Sequence, residues 1–97
     1  MKINVIITKS PDLKKRYRIH LIDKHMDIGS AFYENYTMHN DEKRKKAYLK
    51  RHQKNEDWAN FYTKGFWARW LLWNEPTIDK AIKFIEKKFK LKILLIN

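Results

Sequence analysis

Histidines and carboxylates are the side chains with which this chain could bind a metal or transfer protons. The histidines are His20, His25, His39 and His52. A zinc site uses ligands at short, regular spacings, such as two histidines four residues apart on a helix, often with cysteines. No two histidines here have that spacing, and the chain has no cysteine. Folding would have to bring His39 and His52 together with an acid such as Asp41 or Glu56, so we predict no metal and no cofactor.

Hydrolytic chemistry would need a nucleophile with a base, or two carboxylates in one cleft. The candidate carboxylates are Glu34, Asp41, Glu42, Glu56 and Asp57. All but Glu34 stand beside strongly basic residues, where solvated ion pairing explains them. Gly29 and Gly65 are the only glycines, which excludes a glycine-rich phosphate loop. We therefore predict a protein that is not an enzyme; a one-metal nuclease is the enzyme class that best suits its basic surface.

Lysines and arginines carry the stronger signal. The 97-residue chain has 22 of them against 11 acids, a net charge of +11. Seven lie in residues 43–54 and four in residues 14–18: Lys43, Arg44, Lys45, Lys46, Lys50, Arg51 and Lys54, with Lys14, Lys15, Arg16 and Arg18. Positive charge on almost every helical turn could follow a phosphate backbone of DNA or RNA, with steep salt dependence. A solvated charged surface is the alternative. No motif for base-specific recognition is visible.

A block of aromatic residues follows the basic segment, and all four tryptophans lie between Trp58 and Trp73. Trp67, Trp70 and Trp73 recur at helical spacing beside leucines, which favours a position in the core. Tryptophan and arginine are also over-represented at protein interfaces, so Trp67, Arg69, Trp70 and Trp73 are interface candidates. Stacking on exposed bases is a third possibility. Arg69 among the tryptophans indicates a cation–π contact or a buried ion pair.

Four strands are predicted from β-branched residues and from alternation of apolar with polar side chains. Residues 3–8 are rich in isoleucine and valine. Residues 16–22 alternate between an apolar side and a basic side, and residues 25–28 could pair back as a third strand ended by Gly29 and Ser30. Residues 92–96 are predicted to form a final strand beside the first.

Helices are predicted in the second half of the chain. Asn40 or Asp41 can cap a helix that runs to about Asn55, and residues 66–73 form a short buried helix. Thr77 caps a last helix, in which apolar residues recur at three- and four-residue intervals from Ile78 to Phe89. Residues 31–39 are predicted to form an irregular aromatic loop that could include one helical turn. The predicted fold is a single α+β domain over residues 1–97, a small antiparallel β-sheet packed on one face by two to three helices.

The composition of the chain indicates the kind of environment in which this domain folds. An apolar content of 43% supports a modest core, and the lack of cysteine suits a reducing interior. No apolar run approaches the roughly 20 residues that a membrane span requires. We expect a soluble protein that is not secreted. Its oligomeric state is open at this point.

Several segments resemble a family of small, uncharacterised basic proteins of the nucleocytoplasmic large DNA viruses of protists. The segments that carry the resemblance are residues 9–11, 15–18, 36–39, 48–52 with 56–58, and 65–74. The resemblance implies a viral origin and a place in the virion or the infected host cytoplasm. It brings no catalytic residue with it.

Three hypotheses follow. The first is a non-enzymatic, sequence-indifferent module that binds or packages nucleic acid through residues 14–18 and 43–54. The second is a minor capsid or cement protein, in which the same basic helix meets an acidic protein surface. The third is a metal-dependent, nuclease-like enzyme.

Overall fold

The computed structural model describes residues 2–96, which form a four-stranded sheet and a set of helices. The strands are β1 (Ile3–Lys9), β2 (Lys15–His20), β3 (His25–Ser30) and β4 (Leu91–Ile96). Their order in the sheet is β3-β2-β1-β4. The α+β class is confirmed, and so is the position of the last strand beside the first.

The sheet is mixed rather than wholly antiparallel. β2 is antiparallel to both β1 and β3, whereas β4 lies parallel to β1. A parallel neighbour requires a crossover connection, and the helices between β3 and β4 provide it. β3 also continues through Gly29 and Ser30, which the sequence pattern had predicted to end it.

The predicted alternation places one face of the sheet in the core. Ile7, Ile19 and Met26 are neighbours across β1, β2 and β3, and all are buried. Side chains of successive residues point to opposite faces of a strand, so the next residues along face away from the helices. On β1 and β4 that outer face exposes apolar side chains, because Ile6, Leu94 and Ile96 keep 39%, 57% and 46% of their surface accessible.

Four helices lie between β3 and β4 in the sequence. They are α1 (Tyr36–His39), α2 (Glu42–His52), α3 (Lys64–Trp67) and α4 (Ile78–Phe89), and α3 continues as a π-helical turn over Ala68–Leu72. The predicted irregular loop thus contains one helical turn, and α2 ends three residues before the predicted Asn55. Within residues 2–96, no helix combines the length and apolar character that crossing a bilayer requires.

Side-chain caps define where the two long helices begin. Asp41 caps α2, because its Oδ1 accepts hydrogen bonds from the backbone N–H groups of Lys43 (2.9 Å) and Arg44 (3.3 Å). Thr77 caps α4, because its Oγ1 accepts from the N–H of Lys80 at 3.2 Å. Both caps satisfy donors that have no partner inside the helix. Thr77 was predicted from the sequence, and Asp41 is one of the two residues predicted for α2.

The core lies between the inner face of the sheet and the segment from α3 to α4. Phe66, Trp67, Leu71 and Ile85 are each fully buried there. The π-helical turn places two consecutive leucines, Leu71 and Leu72, in that core. The predicted short buried helix is therefore present, and it begins at Lys64 rather than Phe66.

Candidate nucleic-acid interface

The basic helix α2 is held to the domain by aromatic stacking. Tyr48 is buried, and its ring lies parallel to that of Trp73, with centroids 4.3 Å apart. His52 stacks on Tyr48 at the same centroid distance. Burial raises the pKa of the Tyr48 phenol, and the charge of Glu56 adds to that shift. This stack fixes which side of α2 faces inward.

The opposite side of α2 presents a row of lysines to solvent. Lys43, Lys46 and Lys50 are exposed, and Lys54 is exposed just beyond the end of the helix. Residues three and four apart lie on one side of a helix, so these ammonium groups form a stripe. We call Lys43, Lys46 and Lys50 the lysine stripe. At 1.5 Å of rise per residue, it spans about 10 Å.

Two arginines flank the lysine stripe. Arg44 lies 3.6 Å from the carboxylate of Glu34 in an exposed pair. Such pairs in water contribute little to stability. Arg51 is exposed and lines a cavity of about 340 Å³ together with Tyr33 and Glu34. These arginines extend the positive surface toward the loop between β3 and α1.

Lys45 differs from the other basic residues of α2, because it points inward. Its ammonium group donates to the backbone carbonyl of Asn74 at 2.7 Å and lies 4.8 Å from the centre of the Tyr36 ring. The Tyr36 hydroxyl in turn donates to the carboxylate of Glu42, and this hydrogen bond is the main reason why the pKa of Tyr36 is raised. Lys45 therefore joins α2 to the chain before α4, and we remove it from the candidate phosphate contacts.

The arginines of β2 also serve the fold. Arg18 donates to both carboxylate oxygens of Asp27, at 2.9 and 3.0 Å. That hydrogen bonding, with a further one from Ser10, holds the pKa of Asp27 down at about 2. Arg16 donates to the backbone carbonyls of Ser30 (3.0 Å) and Tyr33 (2.8 Å). Of the four basic residues predicted on this side, Lys14 is exposed and Lys15 partly so.

The tryptophans mostly belong to the core, as their spacing favoured. Trp67 is 0% exposed and its indole N–H donates to the carbonyl of Phe61 at 2.7 Å. A residue with no exposed surface cannot contact a partner, which corrects the prediction of Trp67 as an interface residue. Trp70 and Trp73 are half-buried. The indole N–H of Trp70 donates to the carbonyl of Trp58 at 2.7 Å, and the Trp73 ring stacks on Tyr48. The rings of Trp70 and Trp73 are therefore both packed against the domain.

Arg69 makes cation–π contacts and forms no ion pair with another residue of the 2–96 range. Its guanidinium carbon lies 4.3 Å from the centre of the Trp70 ring and 5.3 Å from that of Trp58. It also donates to the carbonyl of Trp73 at 3.2 Å and to the side chain of Asn74. Burial lowers the pKa of Arg69. Arg69 thus binds the end of the π-helical turn to its neighbours.

Folding does not bring the candidate metal ligands together. His52 donates from Nδ1 to Glu56 at 3.2 Å, whereas His39 accepts the backbone N–H of Asp41 at 2.9 Å. His39 lies against Trp73 and His52 lies against Tyr48, so the stacked rings separate them. Within the part of the chain that the structure describes, no three histidine or acidic side chains are placed to hold a metal ion.

Glu56 is enclosed by its neighbours and has a packing role. One carboxylate oxygen accepts from His52, and the other accepts from the indole N–H of Trp58 at 3.1 Å. A Cβ atom on Gly65 would come within 2.6 Å of that second oxygen. Gly65 therefore leaves room for the carboxylate of Glu56 in this position.

Two groups of exposed residues were not among the site residues predicted from the sequence. Phe32 and Tyr33, in the loop before α1, are 73% and 75% exposed. Lys80, Lys83 and Lys87 form a second exposed stripe along α4. The α4 lysines were visible as the polar side of an amphipathic helix. The aromatic pair gave no signal beyond its composition, because that stretch has no periodicity.

Residues 5–52 match the model of DUF5754, a family of unknown function. The match covers just under half of the chain, from β1 to the end of α2. It therefore includes the lysine stripe and Tyr48, but not Trp73, on which Tyr48 stacks. No curated protein and no solved structure gives a significant match. The similarity to DUF5754 brings no activity with it.

Proposed function

We propose that this protein is a sequence-indifferent nucleic-acid-binding module without enzymatic activity, and that α2 contacts the phosphates. The observation that carries the proposal is the lysine stripe. Three ammonium groups at helical spacing point to solvent from a helix whose other side is fixed by the Tyr48–Trp73 stack. Because the backbone of α2 is already helical, only the lysine side chains lose freedom when the stripe meets a polyanion.

The charge of the surface supports an external anionic partner. Of the 22 lysines and arginines, all within residues 2–96, only Arg18 and Arg44 form an ion pair with a carboxylate of that part of the chain. The protein's own acids therefore leave most of its positive charge unpaired. Nucleic acid neutralises such charge with a gain from counterion release.

Sequence indifference follows from the residue types. Lys43, Lys46 and Lys50 end in ammonium groups, which attract phosphates as point charges and lack the planar, rigid donor fork of arginine. Arg44 and Arg51, which could read guanine, lie at the flank of the stripe rather than along its centre. Contacts of this kind position a protein on the backbone but do not select a sequence.

Replacing the lysine stripe tests the proposal. For Lys43→Ala, Lys46→Ala and Lys50→Ala together, we expect the affinity for a short DNA duplex to fall steeply. The slope of log K against log salt should become shallower by about 3, because each lost phosphate contact removes roughly 0.9. Fluorescence anisotropy at several salt concentrations measures both quantities.

The matched control is Lys80→Ala, Lys83→Ala and Lys87→Ala on α4. It removes the same number of exposed lysines from a helix and changes the net charge equally. We expect it to keep most of the affinity. Equal losses in the two triple variants would contradict the assignment to α2, and no binding by the unaltered protein at low salt would contradict nucleic-acid binding itself.

A minor capsid or cement protein is the second candidate. The outer face of the sheet favours it, because Ile6, Leu94 and Ile96 are exposed together at one edge, and clustered apolar side chains suit a protein partner. Retention of the chain on virion shells after nuclease digestion would support this candidate. The viral resemblance supports a place in the virion or infected cytoplasm for either function.

A further inference from the structure

We infer that the nucleic acid bound by this protein is single-stranded, and that Phe32 and Tyr33 stack on its unpaired bases. This inference rests on the proposed function and adds the class of nucleic acid. The two rings are consecutive in sequence and 73% and 75% exposed. Large aromatic side chains with this exposure contribute little to the core and are available for a partner.

The loop that carries the two rings is held in place by hydrogen bonds to its backbone. Arg16 donates to the backbone carbonyls of Ser30, which precedes the two rings, and of Tyr33 itself. The backbone N–H of Phe32 donates to the Ser30 hydroxyl at 3.1 Å, and the N–H of Ala31 donates to the carbonyl of Lys14 at 2.9 Å. The rings are therefore exposed on an ordered support, which lowers the entropic cost of stacking on them.

Basic residues lie on both sides of this loop. On the α2 side, Glu34 pairs with Arg44, and Tyr33 and Arg51 line the same cavity of about 340 Å³. On the strand side, Ala31 lines a second cavity with Lys9 and Lys15. A strand whose phosphates follow these cations would pass over the two rings.

Exposed aromatic rings between cations distinguish single strands from duplexes. A base that stacks on an aromatic side chain adds to the affinity, and all bases can do so because each has a π-face. The bases of a duplex are already stacked on one another and cannot reach the rings. Charge along α2 alone would bind both forms, so a preference for single strands depends on Phe32 and Tyr33.

The test compares a thymidine oligonucleotide of about 15 nucleotides, near the upper site size of small single-strand-binding folds, with a blunt duplex of the same length. We expect Phe32→Ala with Tyr33→Ala to weaken binding to the single strand at least about tenfold, the loss of roughly 1.4 kcal/mol. Binding to the duplex should change less than about twofold, since no charge is removed. Phe32→Trp with Tyr33→Trp should restore the single-strand affinity.

Ile22→Ala is the control for loss of an exposed apolar side chain. Ile22 is 89% exposed in the turn between β2 and β3, at the other end of those strands, and its replacement should leave both affinities unchanged. The inference is overturned if the double alanine variant keeps its single-strand affinity, or if both substrates weaken equally. If one of these outcomes occurs but the lysine-stripe variant loses binding in the same experiment, the proposed nucleic-acid binding stands and only the inference about single strands fails. If the unaltered protein binds neither substrate, both fail.

Discussion

At the scale of single residues, the basic side chains divide into those that build the fold and those that are free. Arg18 forms a bidentate ion pair with Asp27, Arg16 donates to the loop before α1, and Lys45 connects α2 to Asn74. Their charges are committed to neighbours inside the domain. Composition alone counts these residues with the exposed lysines, although only the exposed ones can give up water and counterions to a partner.

The Arg18–Asp27 pair makes a prediction about acid stability. The pKa of Asp27 is about 2 in the folded protein, below the usual value of about 3.9 for an unfolded chain. The pair therefore stabilises the fold fully above about pH 4, and this contribution is lost as the pH falls toward 2. Asp27→Asn should lower the melting temperature at pH 6 and leave it nearly unchanged at pH 2.

Thermal melts of both proteins between pH 2 and 7 measure this difference. Asp23→Asn is the control, because Asp23 is exposed in the turn after β2 and forms no ion pair with another residue of the 2–96 range. It should melt like the unaltered protein at every pH. A loss in Asp27→Asn that is equal at pH 2 and pH 6 would show that the pair does not titrate as its geometry requires.

At the scale of elements, Tyr48 is the aromatic anchor of α2, beside the hydrogen bond of Lys45 to Asn74. An isolated helix of 11 residues is marginal in water, and α2 has little aliphatic surface with which to pack. Tyr48 compensates by stacking on Trp73 on one side and His52 on the other. The structure thus links a packing contact to the direction in which the lysine stripe points.

Removing that stack should release α2. We expect Tyr48→Ala to cost about 3–5 kcal/mol, the usual range for a buried aromatic side chain, and to reduce helical circular dichroism and DNA affinity together. Tyr48→Phe keeps the ring, and we expect it to retain stability and binding, because no hydrogen bond of the phenol hydroxyl is found among residues 2–96. Urea titration followed by circular dichroism at 222 nm, a wavelength that reports helix, would distinguish Tyr48→Ala from Tyr48→Phe. A Tyr48→Ala protein with full affinity would show that α2 binds without its anchor.

Local sequence patterns predicted the helices and strands better than the contacts between them. The apolar spacing from Ile78 to Phe89 and the cap at Thr77 gave α4 almost to the residue, because both signals lie within a few residues of one another. The parallel direction of β4 depends on the crossover through the helices. Likewise, the stack of Tyr48 on Trp73 joins residues far apart in sequence. No periodicity records either contact, and for that reason the inward side of α2 was not predictable.

At the scale of the whole molecule, unpaired charge opposes the fold that displays it. The described residues span 36 × 29 × 25 Å. The Debye length is about 30 Å at 0.01 M salt and about 10 Å at 0.1 M. At the lower concentration almost every cation therefore repels every other, and at the higher one only close neighbours interact.

Salt should therefore act in opposite directions on stability and on binding. As sodium chloride rises from about 0.01 to 0.3 M, we expect the melting temperature of the free protein to increase by several degrees, since about 1 kcal/mol shifts a domain of this size by roughly 4–8 °C. Over the same range its affinity for DNA should fall. The Lys80, Lys83 and Lys87 alanine variant should show a weaker rise, because its net charge is lower by three. A melting temperature that falls with salt would mean that ion pairs such as Arg18–Asp27 outweigh the repulsion among the unpaired lysines, and the surplus charge would then need no external partner to offset it.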